Sequence, residues 1–166
     1  NQVKTEPLST TYTYEAYPLG STFLQPASDV AVEAGNSGVS ATVSFGLLQG
    51  DREWVFVYAK EPILAGFLCE WDFDHGIAYS IEPADTANQI IQTLAGVADN
   101  AIAAGSYGWI LTKGTVVVWA HSDVAGVAEP LASQGADGQV DDDGVAGTCP
   151  GMSLEAAGGT LANYAQ

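Results

Sequence analysis

The feature of this chain that most limits its fold is the repeated interruption of short apolar runs by glycine, asparagine, aspartate and proline. Residues 39–45 (VSATVSF) alternate with period two, and residues 53–60 (EWVFVYAK) form the strongest strand pattern, which Pro62 stops. Runs of this length, rich in β-branched and aromatic side chains and bounded by turn residues, favour strands over helices. The sequence therefore predicts an all-β fold, a small β-barrel or a β-sandwich.

Weaker patterns complete the predicted set of elements. Residues 63–67 and 77–81 indicate shorter strands, and residues 107–120 (YGWILTKGTVVVWA) predict a hairpin that turns at Lys113-Gly114. Residues 85–94 could form a helix, but a strand over residues 90–97 is an equally good interpretation.

A sequence unit occurs twice in the second half of the chain. Residues 95–105 (AGVADNAIAAG) and 125–135 (AGVAEPLASQG) share AGVA, an acidic residue and a closing glycine, 30 residues apart, and residues 151–159 give a weaker third copy. The unit indicates a strand, a small polar corner and a glycine before the next strand, as tight barrel corners require.

The first 25 residues have a different texture. Threonine, serine, tyrosine and proline dominate there, which predicts an extended N-terminal arm over residues 1–25 followed by a single β-rich domain over residues 26–166. The arm is expected to pack along a neighbouring molecule or along the edge of its own domain. Aromatic side chains supply large contact areas, so Tyr12, Tyr14 and Tyr17 are the candidate contact residues.

The charge balance excludes several classes of partner. Twenty acidic residues oppose four lysines and arginines, for a formal net charge of −16. Such a surface repels nucleic-acid phosphates and anionic lipid, so neither nucleic acid nor membrane is an expected partner. No apolar run is long enough to span a membrane and the first residues do not resemble a signal peptide, so we expect a soluble protein that docks onto a less acidic protein.

No pattern of catalytic, cofactor-binding or metal-binding residues emerges. His75 lies among acids in WDFDHG, where we expect a solvated acidic turn, and His121-Ser122-Asp123 brings triad residue types together in sequence only. Phosphate-binding and dinucleotide motifs are missing. We expect a protein that is not an enzyme, with no cofactor and no metal site, although an irregular Ca²⁺ site in the acidic loop 133–148 stays open.

The two cysteines stand far apart in the sequence. Cys69 and Cys149 are separated by 80 positions and fit no metal or redox motif. They could pair, but buried free thiols are the better interpretation.

The segment from residue 95 to 113 resembles a family of capsid-associated proteins of tailed phages. That family carries the pattern GVA-x-x-A-I-x-x-G-x-Y-G-W, a hairpin and a later GVA-type copy, and residues 53–67 resemble its W-V-Y-V-x-A strand. The resemblance covers roughly residues 45–160. The matching positions are Gly96, Val97, Ala98, Ala101, Ile102, Gly105, Tyr107, Gly108, Trp109, Gly126, Val127, Ala128 and residues 152–157.

The resemblance implies a virion structural protein. It would be a decoration or cement protein on the capsid exterior, made in the host cytoplasm during assembly, with the major capsid protein as its partner. Matching the symmetry of the shell suggests a homo-oligomer, for which we expect a trimer. The alternatives are a phage tail or fibre protein, a carbohydrate-binding adhesin module with exposed aromatic residues, and a small hydrolase using acidic residues.

Overall fold

The computed structural model describes residues 8–26, 51–74, 76–84, 94–119, 130–133, 138–141, 151–153 and 160–165. All regular elements within these residues are strands, which confirms the all-β prediction. In chain order they are β1 (Thr22–Gln25), β2 (Arg52–Ala59), β3 (Leu68–Trp71), β4 (Ser80–Pro83), β5 (Leu94–Val97), β6 (Ser106–Val118), β7 (Pro130–Ser133), β8 (Val140–Asp141), β9 (Gly151–Ser153) and β10 (Thr160–Ala165).

Five of the strands close into a small barrel. Their order is β2-β4-β3-β5-β6, and pairing of β6 with β2 closes the ring. The β2–β6 seam is antiparallel and long, running from Glu53 opposite Lys113 to Ala59 opposite Ser106. The β2–β4 seam is parallel and short. Of the two architectures that the sequence allowed, the structure is the barrel.

The inside of the barrel is lined by one of the two apolar clusters. Every barrel strand contributes to that cluster, which follows from the alternation of side chains along a strand. Its strand members are Val55, Val57, Ala59, Cys69, Ile81, Ala95 and Ile110. The intervening side chains of β2, Trp54 and Phe56, belong to a second cluster on the outer face.

Residues 12–20, which we term the crossover segment, lie over that outer face. At one end Tyr12 exchanges two backbone hydrogen bonds with Tyr107 of β6, with N–O distances of 2.9 and 2.8 Å. At the other end Gly20 N donates to Phe56 O of β2 at 2.9 Å, and β1 then pairs antiparallel with β2. The described part of the N-terminal region therefore covers apolar surface of its own barrel. The division of the chain at residue 25 stays a prediction.

The remaining strands extend the sheet from β6. Residues 113–118 of β6 pair with β10, which pairs with β9, then β7 and β8. The predicted hairpin with its turn at Lys113-Gly114 is wrong, because β6 runs unbroken from Ser106 to Val118. A two-residue hairpin turn needs glycine first or positive φ at both positions, and lysine followed by glycine satisfies neither requirement. Gly114, with φ of 120°, instead lies where β6 leaves β2 and continues along β10.

Two shorter strands lie later in the chain than predicted. In residues 63–67 only Ile63 makes a β-bridge, to Ile102, and β3 begins at Leu68. Gly66, with φ of 83°, breaks the extended backbone before it. Of the predicted strand 77–81, only the last two residues belong to β4, because Tyr79 adopts a left-handed φ of 57°.

The first copy of the repeated unit has the predicted form. Strand β5 ends at Val97, a corner follows, and Gly105, with φ of 75°, precedes β6. The predicted strand 39–45, the helical alternative for 85–94 (except Leu94) and most of the second copy lie outside the described residues.

Candidate functional site

The structure brings the three predicted contact tyrosines together but gives them different environments. The Tyr12 ring centroid lies 6.1 Å from that of Tyr14 and 5.9 Å from that of Tyr17. Tyr12 is only 8% exposed, and the half-buried Tyr17 ring packs edge-on against Phe56 and Trp109 at 5.3 and 5.4 Å. Tyr14 is 66% exposed. Tyr12 and Tyr17 therefore attach the crossover segment to the barrel, and Tyr14 is the one that can reach another molecule.

A second exposed aromatic surface lies at the tip of the β3–β4 hairpin. The loop between these strands lines an open pocket of about 380 Å³. Three aromatic rings stand within nine residues here: Trp71 is half-buried, Phe73 is 72% exposed and Tyr79 is 46% exposed. We term this site the hairpin pocket, and its lining residues are Trp71, Asp72, Phe73, Gly76, Ile77, Ala78, Tyr79 and Ser80.

Packing against the N-terminal region holds one wall of the hairpin pocket in place. The rings of Trp71 and Tyr79 meet edge-on with centroids 5.7 Å apart. The Tyr79 ring also lies against Gly20, where a Cβ atom would stand 2.3 Å from the ring. The left-handed φ of 79° at Gly20 disfavours other residues at this position, and Tyr79 itself adopts a left-handed φ of 57°.

Asp72 organises the base of the loop. Its carboxylate accepts hydrogen bonds from Asp74 N at 3.1 Å and from Ser80 Oγ at 3.4 Å. Lys60 Nζ lies 3.7 Å from Asp72 and 2.7 Å from Glu82, and the hydrogen bond to Glu82 raises the pKa of Lys60. The predicted solvated turn is therefore wrong at Asp72, which is 7% exposed, because a short loop with polar backbone groups needs an internal acceptor. Asp74 is exposed as predicted.

Sequence reasoning missed the hairpin pocket because it treated the acids and the aromatic residues separately. The signal was the spacing of Trp71 and Phe73 around Asp72, with Tyr79 a few positions later. Pairing of β3 with β4 then places Tyr79 beside Trp71. The four tryptophans also differ in environment, since Trp54 and Trp109 are buried, whereas Trp119 is 45% exposed and packs on Phe67.

Cys69 points into the barrel core as a free, buried thiol. Burial is the main factor that raises its pKa, to about 12. A thiol held protonated in this way is a poor nucleophile and metal ligand. Cys149, His75 and His121 lie outside the described residues, as does most of the acidic loop 133–148.

Within the part of the chain that the structure describes, no group of three or more His, Cys, Asp or Glu side chains could hold a metal ion. None of the described residues form a helix able to cross a bilayer. Among the described residues, exposed aromatic side chains stand on the crossover segment at Tyr14, around the hairpin pocket and at Trp119.

Comparison with known proteins identifies the fold. No protein-family model and no curated protein sequence matches the chain. Among solved structures, the head fiber gp8.5 N base in bacteriophage phi29 superimposes with a TM-score of 0.52 at 19% identity. The match covers 68% of this chain and 92% of that chain. About two thirds of this chain is therefore similar in fold to nearly the whole of that head-fiber base.

Proposed function

We propose that this chain is a structural protein of a tailed-phage virion that binds the outer surface of the head and stabilises the shell as a decoration or cement subunit. The observation that carries the proposal is the shared fold with the phi29 head-fibre base, over 92% of that chain. The sequence resemblance to capsid-associated proteins, found independently of the fold, supports the same location. The major capsid protein is the proposed partner, with host cytoplasm as the site of assembly.

The surface of the molecule suits a protein that binds protein. A formal charge of −16 favours solubility and docking onto a less acidic shell. Each bound copy stabilises the shell by mass action, provided that it buries on the order of 1,000 Å² across the contact. No catalytic step enters this role, so we propose that the protein is not an enzyme.

Of the three tyrosines that the sequence offers as contact residues, we propose only Tyr14 as a contact to the capsid. Tyr12 and Tyr17 are committed to the barrel, so removing residues 1–25 would strip apolar cover from β2 and β6 and delete β1. A deletion would therefore confuse lost binding with lost folding. Tyr14→Ala removes an exposed ring. Leu64→Ala, at an exposed apolar residue that follows β2 in the sequence, is the matched control.

The test is co-sedimentation of the purified full-length chain with phage heads assembled without it. We expect saturable binding at a fixed ratio to the major capsid protein, weakened by Tyr14→Ala and unchanged by Leu64→Ala. Sedimentation equilibrium of the free chain checks the proposed trimer. Failure of the chain to sediment with expanded and unexpanded heads would refute the head-surface role.

The second candidate is a carbohydrate-binding adhesin, which the exposed rings of the hairpin pocket favour. A glycan array on the full-length chain tests it. Binding to a defined glycan, together with no binding to heads, would replace the first proposal with this one.

A further inference from the structure

The hairpin pocket has the chemistry of a site for a positively charged side chain. Exposing aromatic rings to water is unfavourable, yet Phe73 and Tyr79 are 72% and 46% exposed around one cavity. The contact with Gly20 and the edge-on contact with Trp71 fix the Tyr79 ring before any partner arrives. The face of an exposed aromatic ring attracts a cation that reaches it, because the ring quadrupole is negative there.

The charges around the pocket have one predominant sign. Asp72 lies in its lining and Asp74 follows in the same loop, while Glu82 lies on the adjoining strand. Among the described residues, Lys60 is the basic residue beside them, and its Nζ lies 2.7 Å from Glu82 and 3.7 Å from Asp72, so one positive charge offsets part of the charge of three carboxylates. The surplus of negative charge, within a chain of net charge −16, attracts cations and repels anions.

We propose that the hairpin pocket receives an arginine side chain from the protein to which this chain docks. A guanidinium group stacks on aromatic faces and pairs with carboxylates, so it complements the exposed rings and the exposed Asp74 carboxylate of this loop. A neutral sugar ring would use the aromatic faces but gain nothing from the excess negative charge. The identity of the arginine-bearing protein as the major capsid protein rests on the proposed function above, whereas the ligand chemistry of the pocket does not.

The first test measures the pocket without any phage component. The full-length ¹⁵N-labelled chain is titrated with acetyl-Gly-Arg-Gly-amide and, separately, with the same peptide carrying citrulline, which has nearly the same shape but no charge. We expect saturable shifts of the Trp71 indole and the loop amides with the arginine peptide. Binding of the citrulline peptide should be at least several-fold weaker, and added salt should weaken binding of the arginine peptide.

A matched pair of variants locates the binding. Phe73→Leu keeps an apolar side chain but removes the π face, and we expect it to weaken arginine binding about two- to fivefold, the range for an exposed cation–π contact. Trp119→Leu makes the same kind of change at an aromatic residue that is 45% exposed and lies outside the pocket lining, and it should leave the affinity unchanged. Equal binding of both peptides, or undiminished arginine binding by Phe73→Leu, would overturn the assignment.

Two further measurements separate this inference from the proposed function. A panel of neutral oligosaccharides is titrated in the same way, and saccharide binding that Phe73→Leu abolishes would assign the pocket to a carbohydrate instead. Head co-sedimentation is then repeated with Phe73→Leu. Normal capture of this variant would refute the docking role of the pocket and leave the head-surface function standing. If the wild type binds the arginine peptide but is not captured by heads, the ligand chemistry of the pocket stands and the head-surface function is refuted.

Discussion

Replacing Tyr12 by alanine should destabilise the protein far more than the same change at Tyr14, two residues away. Tyr12 is 8% exposed and its ring centroid lies 5.9 Å from those of both Tyr17 and Phe56. Returning about 150 Å² of ring surface to water costs about 4 kcal/mol at 25 cal/mol per Å², an upper bound because unfolded chains already bury part of it. We therefore expect Tyr12→Ala to lower the free energy of unfolding by about 3 kcal/mol.

Urea unfolding followed by tryptophan fluorescence measures this effect, because Trp109 lies under the crossover segment. If the free energy of unfolding falls by about 2 kcal/mol per M urea, the urea midpoint of Tyr12→Ala should lie about 1.5 M below that of the wild type. Tyr14→Ala should shift the free energy of unfolding by less than about 0.5 kcal/mol, since its ring is 66% exposed. Equal effects of the two changes would show that the crossover segment does not pack on its own barrel in solution.

Three further predictions concern the barrel and its loop. Gly96→Ala should lower the free energy of unfolding by about 3 kcal/mol, measured by thermal or urea unfolding, because its Cβ would stand 2.3 Å from a backbone oxygen. Gly76→Ala, at a φ of 74° but with open space around the Cβ, should lower it by about 1 kcal/mol. Similar losses for the two variants would exclude close packing as the cause. Asp72→Ala should lower the free energy of unfolding by about 2 kcal/mol in the same assay, because the loop loses its hydrogen bonds to the carboxylate, whereas Asp74→Ala should change it by almost nothing. No loss of stability in Asp72→Ala would contradict the proposed role of the carboxylate. The Cys69 thiol, with its pKa raised to about 12, should resist a thiol reagent until urea exposes it. Peptide mapping locates the labelled cysteine, and labelling of Cys69 in the native protein would contradict its burial.

The same raised pKa gives a pH dependence of stability. The folded thiol of Cys69 stays protonated up to about pH 12, whereas the unfolded thiol ionises near its ordinary value of 9.0. The stabilising contribution is therefore complete below about pH 9 and is lost as the pH rises toward 12. Substituting Cys69 by alanine should remove this part of the alkaline decline, measured by urea unfolding at each pH. An unchanged profile would contradict the assignment.

The sequence by itself determined the fold class and the strongest elements. Runs of β-branched and aromatic residues between turn residues fixed β2 to within one position, because strand formation at a half-buried surface depends on local side-chain type. The glycine-containing corner before β6 was likewise visible, since Gly105 needs a backbone that other residues rarely adopt. The strong negative charge of the chain is also a property of composition alone.

Only the tertiary structure decided how these elements meet. The turn predicted at Lys113-Gly114 failed because β6 finds its second partner in β10, more than 40 residues later, and such a pairing leaves no local trace in the sequence. The different environments of the three tyrosines also depend on long-range contacts. Phe56 and Trp109, distant in sequence, pack against Tyr12 and Tyr17. Tyr14 is left exposed. The hairpin pocket exists because β3 pairs with β4 and Gly20 packs against Tyr79, and long-range contacts of this kind are set by the closed barrel rather than by any single segment.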